Sequence, residues 1–276
     1  MTLKLDSNII LTDKLTKQFV RSLSEIEQEI WEAVQKLLFE FKSEGGFLVP
    51  DSRSKELIGL INKEIRKILR DAHIKDEVSN FIDDFDLLDK NIKAIQQNLN
   101  GIDVKQSIFN AQRQFAIDAT VNSLVESNIN LKFVDPVKKI LYNRVSFGSS
   151  VVDAEKQLRQ IVVGNKDHFG VLQRWVGQIA RDATNEYQGT ISQRIKVQYE
   201  LTNIRYIGPL VEDSRAQCVR WINQLNGIIS DDQLQSEIDW AYRNGSGMKP
   251  ETTPENFCQN RGGWYCNHES IPVRKR

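Results

Sequence analysis

The chain has 276 residues, 40% of them hydrophobic, enough for one large domain or two ordinary ones. Lys plus Arg and Asp plus Glu each number 37, so no global basic field marks it for bulk nucleic-acid binding, and no apolar run approaches the roughly 20 residues of a membrane span. The opening "MTLKLDSNIILTDK" lacks the apolar core of a secretory signal, and the expectation is a soluble protein made and used without crossing a membrane.

From Leu15 the apolar residues fall at Phe19, Leu23, Ile26, Ile30, Val34, Leu37 and Phe41, steps of three and four that predict one long amphipathic helix. Gly45 and Gly46 supply its stop, and Pro50, Asp51 and Ser52 read as a loop. Similar spacing at Leu57, Ile61, Ile65 and Ile68, then Val78, Phe81, Ile82 and Phe85, then Ile108, Phe115 and Leu124, makes the first half a set of helices with a break around Gly101. The acidic cluster at Asp83, Asp84, Asp86 and Asp89 lacks EF-hand spacing and reads as a solvated helix end.

Ser149 and Ser150, after Gly148, are N-cap candidates for a helix carrying Ala154, Leu158 and Ile161. A longer helix follows, with the stripe Leu172, Val176, Ile179, Ala183, Tyr187, Ile191 and Ile195. After about Leu201 the texture changes. "NIRYIGPLVEDSR" alternates like a strand ended by Gly208 and Pro209, and "NGIIS" and "SIPV" are short β-like runs. "RNGSGMKPETTPENF" reads as a long surface loop that orders on meeting a partner. The fold class expected is mainly α, with a helical region over 1–145 and a small α+β domain over 146–276.

The chain contains no P-loop, no G-x-S-x-G elbow, no H-E-x-x-H and no C-x-x-C. His73 and His168 read as helix positions without a nucleophile or acid beside them. All three cysteines lie in the last quarter, and Cys218, Cys258, Cys266 and His268 add up to a Cys3His complement for tetrahedral zinc. Cys266 and His268 share a face if their segment is extended. The alternatives are packed thiols with Cys258 in a loop and His268 at the surface, or a disulfide formed under oxidising conditions. A nucleophilic Cys266 with His268 as base lacks an orienting group. In "VEDSRAQC", Asp213 or Ser214 is expected to cap a helix starting near Arg215, leaving Arg215 to pair with a carboxylate. Most of the tryptophans are expected in the core, with Trp264 and Tyr265 beside Gly262 and Gly263 as a docking feature or a packed turn.

In order, "GSSVVDAEKQLRQIV", "IARDATNEYQGTISQ", "RYIGPLVEDSRAQCVRW", "NGII" and "GGWYCNHESIPV" make residues 146–273 resemble the Mu-F-like minor head proteins of tailed bacteriophages. Asp213, Arg215 and Cys218 match the family's D-x-R-x-x-C element, and Cys266 stands in its Cys-rich closing motif. "ARDATNE" replaces an Arg-Thr-Glu-like triplet. The resemblance implies a non-catalytic virion protein, present in several copies in the head and meeting the portal or major capsid protein. It implies a role in head assembly or genome delivery. Two rivals stand beside it: a metal-dependent hydrolase with Cys218, Cys266 and His268 as ligands and Glu212 as base, and a protein contacting packaged DNA through Arg274, Lys275 and Arg276 and the arginines of the 174–194 helix.

Overall fold

A computed structural model describes residues 6–72, 74–123, 126–165, 167–264 and 266–275; His73, Leu124, Tyr265 and Arg276 lie outside the described residues. The chain opens with helices α1 (Ser7–Ser22) and α2 (Ser24–Leu38), a small hairpin of β1 (Ser43–Glu44) and β2 (Phe47–Leu48), then α3 (Ser54–Asp71), α4 (Ile74–Asp83), α5 (Phe85–Asn100) and α6 (Gln106–Ser123). The short α7 (Glu126–Ile129) runs through a π-helical turn into α8 (Asp135–Ser146), followed by α9 (Val151–Val162) and the long α10 (Val171–Gln198). The last part holds β3 (Asn203–Ile207), α11 (Ala216–Val219) with its own π-helical turn, β4 (Ile228–Ser230), α12 (Asp231–Asn244), α13 (Phe257–Asn260) and β5 (Glu269–Val273). The mainly helical fold with a small C-terminal α+β part is as the periodicity indicates.

The single helix expected over 15–41 is two helices, α1 and α2, with Leu23 at the junction. Leu23, Ile26, Ile30 and Val34 are all buried. The junction leaves the three-and-four spacing intact, so periodicity alone passes through it unnoticed. Gly45 and Gly46, read as a helix stop, form the tip of the β1–β2 hairpin, with φ of 57° and 84°. Two successive left-handed residues are what a tight hairpin turn needs, and glycine adopts them without steric cost.

The chain divides into two compact units that interleave in sequence: residues 1–15, 82–119 and 181–276 in one, and 16–81 and 120–180 in the other. The sequence reading cut the chain once, near residue 146. The reason for the difference lies in long-range contacts. Ile95 of α5 packs with Ile271 and Val273 of β5. Asn100, at the end of α5, donates to the Pro272 carbonyl at 3.0 Å and accepts from the Arg274 N–H at 3.0 Å. A hydrophobic stripe shows that a face is buried, not which element buries it.

In the unit containing residues 16–81, α2, α3, α8 and α9 pack on one another. The Ser150 hydroxyl accepts from the Asp153 N–H at 3.0 Å and caps α9, as the sequence indicates. Glu27 of α2 is buried, and its carboxylate accepts from the Gln173 N–H in the first turn of α10 at 3.0 Å. Burial pushes the Glu27 carboxyl up to about 7, against the lowering effect of that hydrogen bond and of Arg174. His168 is exposed in the connection between α9 and α10, where Gly164 (φ 87°) ends the helical run, so it does not occupy a helix.

In the other unit, an antiparallel sheet of order β4-β3-β5 carries α11, α12 and α13 around a core of Ile204, Tyr206, Trp221, Ile229, Ile238 and Phe257. The register pairs Tyr206 with Ser270 and Ile204 with Pro272 and Ile229. Pro272 sits on an edge strand, where a missing N–H costs no ladder bond. Asp89 departs from the solvated helix end expected of its cluster: it is buried and accepts from Tyr187 Oη at 2.5 Å and Arg113 at 2.6 Å.

Candidate metal centre

Alternation along the extended run before β5 puts Cys266, His268 and Ser270 on one face, and the β3–β5 register lays Tyr206 against that face. Cys218 arrives from the other side, on α11. The donor atoms of Cys218, Cys266 and His268 lie within 4.8 Å of one another. Cys266 Sγ is 3.5 Å from His268 Nδ1, and the Tyr206 hydroxyl lies 3.1 Å from Cys266 Sγ and 3.4 Å from Cys218 Sγ. The four side chains are sealed from solvent, with fractional exposures of 3% (Cys218), 8% (Cys266), 5% (His268) and 1% (Tyr206).

Gly262 forms the roof. A Cβ there would stand 2.6 Å from Tyr206 Oη, 2.8 Å from Cys218 Sγ and 2.9 Å from Cys266 Sγ, so only glycine allows this close an approach. The Gly262 carbonyl is held by Arg215 at 2.8 Å and by Gln217 at 3.1 Å, and Arg215 also donates to the Trp264 carbonyl. Within the D-x-R-x-x-C stretch, Arg215 and Gln217 thus fix the loop whose cysteine meets Cys218. Arg215 binds carbonyls rather than the carboxylate expected of it.

Electrostatically the two thiols act as a pair. The hydrogen bond with Cys218 holds the Cys266 thiol well below the usual range, with His268 and Tyr206 reinforcing it against burial. The same shared bond, together with burial, pushes Cys218 up. Burial drives the Tyr206 phenol well above its ordinary value. The opposite shifts share one cause, the hydrogen bond between the two thiols, and two sulfurs beside an imidazole make a soft donor set.

Several expectations are corrected here. Cys258 is buried on α13, outside the gathered donors, and is not in a loop. His268 is buried, not at the surface. Neither Asp213 nor Ser214 caps α11: Arg215 occupies the cap position without a side-chain bond, and the Ser214 hydroxyl accepts instead from the Val211 N–H at 2.7 Å. Asp213 is exposed. Glu212, the base required by the hydrolase reading, is exposed and not among the gathered donors. A cavity of about 300 Å³ in this unit is lined by Asp13, Arg181, Asn185 and Asn267, with Arg181 paired to Asp13 at 3.2 Å, and none of the cluster residues lines it.

The Gly262–Gly263 turn is packed: Trp264 N–H donates to the Gly247 carbonyl at 2.9 Å, and Lys249 sits over the Trp264 ring at 4.9 Å. The 244–256 loop is tied down by side chains of α12 and α11. Tyr242 donates to the Lys249 carbonyl at 2.6 Å, and Gln217 bonds Ser246 in both directions, at 2.7 and 3.2 Å. Tyr206 is the member of the cluster that sequence reasoning missed; its only sequence signal is the inward phase of alternation it shares with Ile204. No family model, curated protein or solved structure matches this chain, so the likeness to the minor head proteins rests on its own residues.

Proposed function

We propose that this chain is a non-catalytic structural protein acting through protein contacts, in the manner of the minor head proteins its C-terminal blocks resemble. Its place is the portal or capsid interior of a tailed-phage head, its partners are the portal or major capsid protein, and its role is head assembly and genome delivery. One observation carries the reading. The two stretches that hold the resemblance, "DSRAQC" and "GGWYCNH", are locked together through Arg215, Gln217 and Gly262 over a sealed Cys-His-Tyr cluster. A cluster this closed admits no substrate, which suits a structural joint better than turnover.

The DNA-contacting rival draws less support. Of the arginines on α10, Arg181 is already paired with Asp13 at 3.2 Å, and Arg194 donates to the Gln112 amide oxygen at 2.7 and 2.8 Å. The test is co-expression of the full chain with the portal and major capsid proteins of the same genome, followed by gradient purification of heads and quantitative mass spectrometry. The chain should co-purify with heads at a fixed low ratio that survives high salt. Its absence from heads would refute the assembly role, and retention lost with rising salt would favour the DNA reading.

A further inference from the structure

A zinc ion with ligands at about 2.3 Å for sulfur and about 2.0 Å for nitrogen or oxygen, in tetrahedral geometry, separates neighbouring donors by about 3.5 Å. The Cys266 Sγ to His268 Nδ1 distance is 3.5 Å, and Tyr206 Oη stands at 3.1 and 3.4 Å from the two sulfurs. Three of the six donor–donor edges of such a tetrahedron are therefore at the right length, and the donor atoms of Cys218, Cys266 and His268 all lie within 4.8 Å of one another. His268 turns Nδ1 toward the sulfurs, which leaves Nε2 to carry the ring proton of a neutral imidazole ligand.

The charges fit as well. Two thiolates neutralise a divalent ion, and a neutral imidazole and phenol add nothing, so the loaded site carries no net charge into the core formed by Trp221 and Phe257. Sulfur and imidazole donors select zinc-type ions over magnesium or calcium. Gly262, with no side chain, leaves unfilled the space a Cβ would take against three of the donors.

We propose that Cys218, Cys266 and His268, with the Tyr206 hydroxyl oxygen as fourth donor, form a closed site for a zinc-type divalent ion, and that Cys258 takes no part in it. Cys258 packs instead against α10, where its N–H donates to Gln193 Oε1 at 3.3 Å and its carbonyl lies against Gly189. The ion joins α11 to the run before β5, so it acts as a cross-link within the small domain rather than as a catalyst.

The test uses the full chain, purified under reducing conditions, stripped with chelator and desalted after exposure to Zn(II), with Co(II) titrated in parallel. The wild-type chain should retain one zinc per molecule and give the thiolate charge-transfer and intense d–d absorption of tetrahedral cobalt. Cys258→Ser should leave both unchanged. Cys218→Ser, Cys266→Ser and His268→Gln should each weaken retention by tenfold or more, and Tyr206→Phe should weaken it and shift the d–d bands. A wild-type chain that retains no zinc overturns the site; this result requires no variant to fold. Equal loss in Cys258→Ser overturns the assignment of donors, and an unchanged cobalt spectrum in Tyr206→Phe overturns the fourth. Metal content and incorporation into heads are separate readouts, so either can fail while the other stands.

Discussion

The Tyr206 and His268 rings stack with centroids 5.1 Å apart and planes inclined by 17°. This contact follows from strand register. Tyr206 faces Ser270 directly across the β3–β5 ladder, and His268, two residues earlier, is its diagonal neighbour on the same face. The stack holds the imidazole beside Cys266 and the phenol oxygen beside both sulfurs, so one pair of rings orients the whole cluster.

Gly208 makes room for that stack. It has φ 150°, and a Cβ there would meet His268 Cδ2 at 2.6 Å. Gly208→Ala should destabilise the small domain by about 2 kcal/mol through backbone strain and a displaced imidazole. Urea denaturation followed by tryptophan fluorescence measures this; an unchanged midpoint would mean that His268 is free to move aside.

Arg215 and Asp213 separate sharply, although both match the same sequence element. Losing the Arg215 bonds to the Gly262 and Trp264 carbonyls should cost about 2 kcal/mol in Arg215→Ala. Arg215→Lys should recover only part of this, because a single ammonium cannot span two carbonyls in the same way. Asp213→Ala should stay within about 0.5 kcal/mol, since its side chain is exposed and caps nothing. Thermal melts of the three variants check the order.

Glu237 accepts from Arg220 at 2.7 and 2.8 Å and from Trp221 Nε1 at 3.1 Å. The hydrogen bond from Arg220 holds its carboxyl below the usual range. A depressed acid contributes stability above its unfolded pKa and loses it as pH falls through the folded one, so this contribution should disappear below about pH 4. Glu237→Gln should cost about 2 kcal/mol at pH 7 and much less at pH 3. Chemical denaturation at both pH values reads the difference.

Glu27 behaves in the opposite sense. Its carboxyl is raised to about 7 in the folded chain, above the 4.5 of an ordinary glutamate, so folding favours the protonated form. Stability linked to it is complete below about pH 4.5 and is lost as pH rises through about 7. Between pH 5 and pH 8 the wild type should lose on the order of 2 kcal/mol that Glu27→Gln, which keeps an acceptor for the Gln173 N–H, does not lose. Equal pH slopes in the two proteins would show that solvent reaches this carboxylate.

What could be read from the sequence follows from the range of the interaction. Of the α10 stripe, Leu172, Val176, Tyr187, Ile191 and Ile195 are buried as their spacing indicates, while Ile179 and Ala183 are only half-buried beside a buried Ala180 and Thr184; Ser150 caps α9, and both features depend on residues a few positions apart. Cys266 and His268, two apart in an extended run, could be paired for the same reason. Cys218 entered through the count of cysteines, which could not separate it from Cys258, and the exclusion of Cys258 and the inclusion of Tyr206 depend on the β3–β5 register and on where α13 packs. Those are set by contacts distant in sequence, to which local periodicity is blind.

The central claim is that the Cys-His-Tyr cluster is sealed and structural, and thiol reactivity tests it most directly. In the metal-free, reduced chain, an aromatic disulfide reagent such as dithiobis-nitrobenzoate should leave Cys218, Cys258 and Cys266 unmodified while the protein is folded and should titrate all three in denaturant, since each is buried. Rapid modification of Cys266 in the folded chain, at a rate like that of a free thiolate, would contradict the account and reopen the case for a reactive site.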